Sequence, residues 1–225
     1  MPNWCYNYIT INGDGKDLKK FNALLEDWTK ECSHENDFDE GWWLGNIAEK
    51  GLGVDPMKTN ILVRGTLEYL EYNEDEEQMI LTTSSAWRPS VEMWDLLVRK
   101  YIPDSEVVYN SVEESNGIWV TNDPALVGTY FKDFYADSSK PDPFDGMCDA
   151  PEDDVRRRAS EIEGIDSTLP IEELLSALDE GGFPLRKWER VEIDEMRSED
   201  GLKVLSAIRS IPEAPLAEGG AYGTV

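Results

Sequence analysis

Asn3-Trp4-Cys5-Tyr6-Asn7-Tyr8-Ile9-Thr10-Ile11-Asn12, followed by Gly13-Asp14-Gly15, is the stretch on which the fold turns. Successive side chains of an extended strand point to opposite faces. Trp4, Tyr6 and Tyr8 therefore share one face, and Cys5, Asn7, Ile9 and Ile11 share the other. Aromatic and β-branched residues at that alternation predict a strand. The two glycines break it. From Lys16 to Lys30, Leu18, Phe21, Leu24, Leu25 and Trp28 recur at helical spacing and predict an amphipathic helix.

Residues 31–60 are irregular and rich in Gly, Asp and Glu, with Trp42-Trp43-Leu44 and one short helix expected near Asn46 to Lys50. They read as a long insertion. Two strand-like runs follow, Ile61 to Tyr72 and Gln78 to Ser85, joined by the acidic turn Asn73-Glu74-Asp75-Glu76-Glu77. Pro89-Ser90 opens a second helix with an apolar stripe of Val91, Trp94, Leu97, Val98 and Tyr101, ended by Pro103. Glu106 to Asn110 and Gly117 to Thr121 read as further strands. The order β-α-β-β-α-β predicts an α+β fold of the ferredoxin-like, split βαβ type, an antiparallel sheet with helices on one face.

Beyond this, Val127 to Ala136 is aromatic and strand-like, and 137–154 is loop-like with Pro141, Pro143 and Pro151 among carboxylates. A helix at Ile171 to Leu178 and a strand at Lys187 to Ile193 are expected. The domain reading is a ferredoxin-like domain over 1–136 with its insertion at 31–60, an acidic C-terminal α/β extension over 137–211, and a mobile Gly/Ala/Pro-rich tail over 212–225.

The opening Met1-Pro2-Asn3-Trp4 through Gly13 resembles the start of a phage- and plasmid-borne family of unknown function built on a YubB-type ferredoxin-like domain. Thr83-Ser84-Ser85-Ala86-Trp87-Arg88-Pro89 and the later Val108-Tyr109-Asn110 are similar to that family's Ala-Trp-x-Pro element and the strand after it. The resemblance spans residues 1–123. Many relatives carry Trp-Gly-Thr-Lys-Trp near the middle, where this chain has Arg64-Gly65-Thr66-Leu67. The resemblance implies the fold and a mobile-element origin, and no reaction.

Composition constrains partners more than chemistry. The 225 residues hold 47 acids against 21 bases, a formal charge of −26. Such a chain is unsuited to direct contact with nucleic acid or an anionic membrane, both of which need Lys and Arg. It attracts basic surfaces; solubility is the plainer use of the same charge. Residues 1–60 carry −5, 61–134 carry −9, 135–200 carry −12 and 201–225 carry zero, so the charge is not a terminal tail. Duplex DNA carries about one charge per 1.7 Å of axis, a density that carboxylates on a rigid surface can imitate. The residues expected to meet a partner are Glu74, Asp75, Glu76, Glu77, Trp87, Glu113, Glu114, Asp149, Glu152, Asp153 and Asp154.

No catalytic constellation emerges. His34 is the only histidine and reads as an exposed loop residue. Cys5, Cys32, His34 and Cys148 lack the close ligand pairs of a structural zinc site. Gly13-Asp14-Gly15 lacks the third glycine of a dinucleotide loop, Leu18 standing in its place. Asp37 to Gly41 misses the glycine position and final Glu of a calcium loop, and the carboxylates of Asp142, Asp145, Asp149, Glu152, Asp153 and Asp154 read as solvated. No metal and no cofactor is expected. Met1-Pro2-Asn3-Trp4 has neither a basic n-region nor an apolar h-region, so a cytoplasmic location in the host cell is expected. The leading expectation is a non-enzymatic phage-type protein binding a basic, nucleic-acid-handling host factor, as a nucleic-acid mimic or anti-defence inhibitor. A carboxylate- or metal-dependent hydrolase and a scaffold or oligomerisation module are the alternatives.

Overall fold

A computed structural model describes residues 3–30, 42–73, 75–132 and 142–210. In chain order the elements are β1 (Trp4–Asn12), α1 (Gly15–Thr29), α2 (Leu44–Leu52), β2 (Gly65–Asn73), β3 (Gln78–Ala86), α3 (Val91–Tyr101), β4 (Glu106–Glu113), β5 (Ile118–Thr121), β6 (Tyr130–Lys132), α4 (Glu152–Ala159), α5 (Ile171–Glu180), β7 (Leu185–Lys187), β8 (Glu189–Arg190) and α6 (Glu199–Arg209). They form a mixed α+β fold around a six-stranded sheet of order β2-β3-β1-β4-β5-β8. Every pairing in it is antiparallel except β5 with β8.

The alternation in β1 resolves as the pattern requires. Cys5, Asn7, Ile9 and Ile11 are buried, while Trp4, Tyr6 and Tyr8 are exposed. Helix α1 begins where the Asp14 carboxylate accepts from the Lys16 and Asp17 amides at 2.9 and 3.3 Å, an N-cap that satisfies donors the helix leaves free. Its Leu18, Phe21, Leu25 and Trp28 point inward and join Ile9, Ile11, Leu67, Met79, Leu81 and Trp94 in the main core. Helix α2, inside the stretch read as an insertion, belongs to that core through Leu44, Ile47 and Ala48. At about 25 cal/mol per Å2 of apolar surface removed from water, these contacts supply the main drive to fold.

Several boundaries move. The strand expected from Ile61 starts at Gly65, because Ile61 and Val63 are buried in the connection before it. Strand β4 continues past Asn110 to Glu113. Between Leu67 and Tyr69 the β2–β3 register shifts by a bulge. The strand expected at Lys187 to Ile193 divides into β7 and β8, followed by a 3-10 turn at Ile193–Met196. Helices α4 and α6 were not expected from the sequence.

The stretch read as a single C-terminal extension is split by its packing. Tyr130, Phe144, Met147, Val155, Leu174, Leu178 and Leu185 build a second, smaller core. The chain then returns: β8 pairs with β5, and Ile193 and Leu205 enter the main core. An ion network fastens this return to α3. Arg197 Nη2 lies 2.5 Å from Asp95 Oδ2 and 2.6 Å from Asp194 Oδ1, and Arg99 Nε lies 2.7 Å from Asp95. Glu92 accepts from the Ser198 amide at 2.7 Å and hydroxyl at 3.0 Å. A Cβ on Gly201 would collide with the Glu92 carboxylate, so a larger residue there would push Glu92 off its bonds to Ser198. The tail read over 212–225 lies outside the described residues.

Candidate functional site

The helices that pack on the sheet lie on its inner face, leaving the outer face of β1 and its neighbours uncovered. Register places the outward residues in rows across the strands. Tyr69, Thr82, Tyr8 and Asn110 form one row, and Thr66, Ser84, Tyr6 and Val112 the next. Trp119 extends the second row onto β5. Trp4 is 41% exposed, Tyr6 47%, Tyr8 52% and Tyr69 48%. Large rings rarely stand this open in a row, and contiguous apolar exposure marks interaction surfaces. The Tyr69 hydroxyl donates to Glu71, and this bond raises the Tyr69 hydroxyl's pKa above its ordinary value, with burial and the Glu71 charge adding to it.

One end of this face is acidic. Asn12 pairs with both Gln78 and Glu106, and the Gly13 amide donates to the Glu77 carbonyl at 3.2 Å. A Cβ on Gly13 would strike Ser105. The end of β1, the β2–β3 turn and the start of β4 therefore meet, gathering the exposed carboxylates of Asp14, Asp75, Glu76, Glu77, Asp104 and Glu106 beside the exposed Lys16. Among the described residues, none of these six carboxylates forms an ion pair with a basic side chain. The opposite end is basic. There Trp87, at φ 67°, donates its amide to Asn3, and the Arg64 guanidinium stacks 5.0 Å from its ring.

The residues expected to meet a partner fall into three groups. Asp75, Glu76 and Glu77 stand exposed at the acidic end, and Trp87 at the basic end; Glu74 lies outside the described residues. Glu113 is a correction. It is 1% exposed on the inner face of β4, accepts from the Ser115 amide at 3.0 Å, and presents nothing to a partner. Glu114 follows it, half-buried, in a 3-10 turn. Asp149, Glu152, Asp153 and Asp154 belong to the second core's surface. There Asp149 accepts from the Trp188 indole at 3.3 Å, Glu152 pairs with Arg156 at 2.7 Å and Asp154 with Arg157 at 2.7 Å. Asp153 remains exposed. Asp142 and Asp145, read as solvated, both reach Lys132.

The rings of β1 and Tyr69 were absent from the sequence-derived site. The alternation separated the two faces of β1 but did not say which one the helices would cover. Beneath the open face lies a polar cluster. The Asn7 amide nitrogen donates to Ser85 Oγ at 2.9 Å and Thr83 Oγ1 at 3.1 Å, and its oxygen accepts from Ser111 Oγ at 2.8 Å. Burial, with the Glu113 charge adding to it, pushes the neighbouring Cys5 thiol up to about 12, so the thiolate that a nucleophile needs is scarce at neutral pH. His34, Cys32 and Asp37 to Gly41 lie outside the described residues. Among the described residues no three His, Cys, Asp or Glu side chains come together as a metal site, and no helix is long and apolar enough to cross a membrane.

No family model, curated protein or solved structure matches the chain.

Proposed function

We propose that this chain is a non-enzymatic acidic protein of mobile-element type that binds a basic, nucleic-acid-handling host protein in the host cytoplasm and inhibits it. Its scaffold is the ferredoxin-like arrangement over residues 1–136, with an acidic extension behind it. The order β1-α1-β2-β3-α3-β4, with α2 inserted between α1 and β2, and the neighbours β2-β3-β1-β4 support that assignment. The observation that carries the function is the exposed aromatic face bordered by carboxylates lacking ion-pair partners. Unpaired acids steer a cationic partner from a distance, and aromatic rings anchor it on contact.

The test uses the wild-type chain and an Asp75→Asn, Glu76→Gln, Glu77→Gln, Glu106→Gln variant as baits in host lysate over a salt gradient. The expected result is a basic nucleic-acid-binding protein held by the wild type, released as salt rises, and lost from the variant. Equal capture by both baits, or none by either, overturns the proposal.

A further inference from the structure

We infer that the open face of the sheet is selective for arginine: Tyr6 and Tyr8, with Tyr69 beside them, receive the guanidinium groups of an extended partner segment that carries arginine at alternate positions. This rests on the basic-partner reading and specifies it.

Spacing is the first ground. Tyr6 and Tyr8 are two residues apart on one strand, which sets their side chains about 6.8 Å apart. The same repeat separates alternate side chains of an extended segment lying along β1. The second ground is what the protein does with two tryptophans beside this face, Trp87 and Trp119. Arg64 stacks over Trp87 at 5.0 Å, and Arg186 stacks over Trp119 at 5.3 Å. Both flanking tryptophans are thus topped by a guanidinium of the chain itself. Tyr6, Tyr8 and Tyr69 are topped by no cation among the described residues.

Charge selects the occupant. Glu71 stands one row from Tyr69 on β2, Glu106 faces Asn12 two rows beyond Tyr8, and Asp75, Glu76 and Glu77 stand at the same end of the sheet. Arg64 and Arg88 lie at the Trp4 end, so a cationic segment sets its arginines toward Tyr6 and Tyr8 and away from Trp4. Guanidinium is planar and weakly hydrated and stacks on rings, whereas ammonium holds its water more tightly. A single-stranded nucleic acid would find the same rings, but its phosphates would face the acidic border of a chain of charge −26. A second copy would bring a like-charged border within a Debye length.

The experiment titrates the full chain, by calorimetry at low and high salt, with three synthetic peptides. One alternates arginine with serine, one alternates lysine with serine, and one holds the same arginines in a single block. The alternating arginine peptide is expected to bind about fivefold tighter than either of the others. The Tyr6→Ala/Tyr8→Ala variant, and Tyr6→Leu/Tyr8→Leu as a version that keeps apolar bulk, are expected to lose that preference. Both should retain the salt-dependent remainder and the wild-type circular dichroism spectrum. Equal affinity for arginine and lysine peptides, or a preference unmoved by both variants, overturns this inference and leaves the basic-partner reading standing. Absence of salt-dependent binding to all three overturns both. Binding of oligothymidylate, or a dimer in light scattering, that the variants abolish assigns the face to nucleic acid or to a second copy and overturns the inference.

Discussion

The acids at the end of the sheet and the acids of the C-terminal region are the same chemical groups put to opposite uses. Around residues 142–210 some of the carboxylates are matched, while Asp153, Glu163, Glu172, Glu173 and Asp179 stand exposed outside any ion pair among the described residues. Glu152 and Asp154 in the first turn of α4 meet Arg156 and Arg157 one turn on, Asp194 and Asp95 grip Arg197, and Asp200 holds Lys203. At the sheet end, Asp75, Glu76, Glu77, Asp104 and Glu106 meet no cation among the described residues. The segment with the largest negative count therefore answers part of its charge internally, whereas the smaller cluster at the sheet end forms no ion pair among the described residues. Net charge by stretch measures composition, whereas the potential a partner feels depends on which charges are already answered.

The sharpest way to break this contrast is at Arg197, whose side chain is 2% exposed. Arg197→Ala leaves Asp95 with Arg99 alone in a buried setting and is expected to cost about 3 kcal/mol in urea unfolding. A change below about 0.5 kcal/mol would mean that the network does not hold the C-terminal return. Arg156 comes next. It donates to the carbonyls of Ser167 and Leu169 at 2.8 Å as well as to Glu152, so Arg156→Ala should cost about 2 kcal/mol by stranding those acceptors. A smaller effect is expected on acidification. The Arg197 hydrogen bond holds the Asp194 carboxyl below its ordinary value, and Lys203 and the Asn60 amide do the same for Asp200. Folded values below unfolded ones give stability that is complete above the ordinary carboxylate range, about pH 4, and is lost as pH falls through the lowered values. Amide exchange in α6 should then accelerate before that in β1 and β3; simultaneous loss would count against it. The least effect on stability, within about 0.5 kcal/mol, is expected for Asp75→Asn/Glu76→Gln/Glu77→Gln, which should still weaken the salt-dependent binding of cationic peptides.

Local pattern carried much of the fold. The alternation of β1, the stripe of α1 and the Val91–Tyr101 helix were legible because each rests on spacing within one element. Helix α4 was not, since Glu-Asp-Asp-Val-Arg-Arg-Arg-Ala has almost no apolar face and reads as solvated charge unless the acid–arginine pairs one turn apart are counted. Helix α6 was missed because its seat depends on Glu92 and Asp95 of α3, about a hundred residues earlier in the chain. A strand read only to Asn110 leaves Glu113 on the surface. Continued to Glu113, the same alternation that buries Val107 and Tyr109 sends its side chain inward. The aromatic face shows the limit most clearly: which side of a sheet the helices cover is decided by packing between elements.

The two rims of the sheet also restrict how anything can join it. On one side β2 carries a bulge at Leu67/Tyr69, and its Leu67 amide is already taken by the Trp42 carbonyl at 2.9 Å. On the other, the last strand is the two-residue β8, too short to template another chain. Sideways growth by strand addition, the usual route by which open sheets aggregate, is hindered at both margins. The open face therefore offers a visitor side chains to meet broadside, away from the hindered margins.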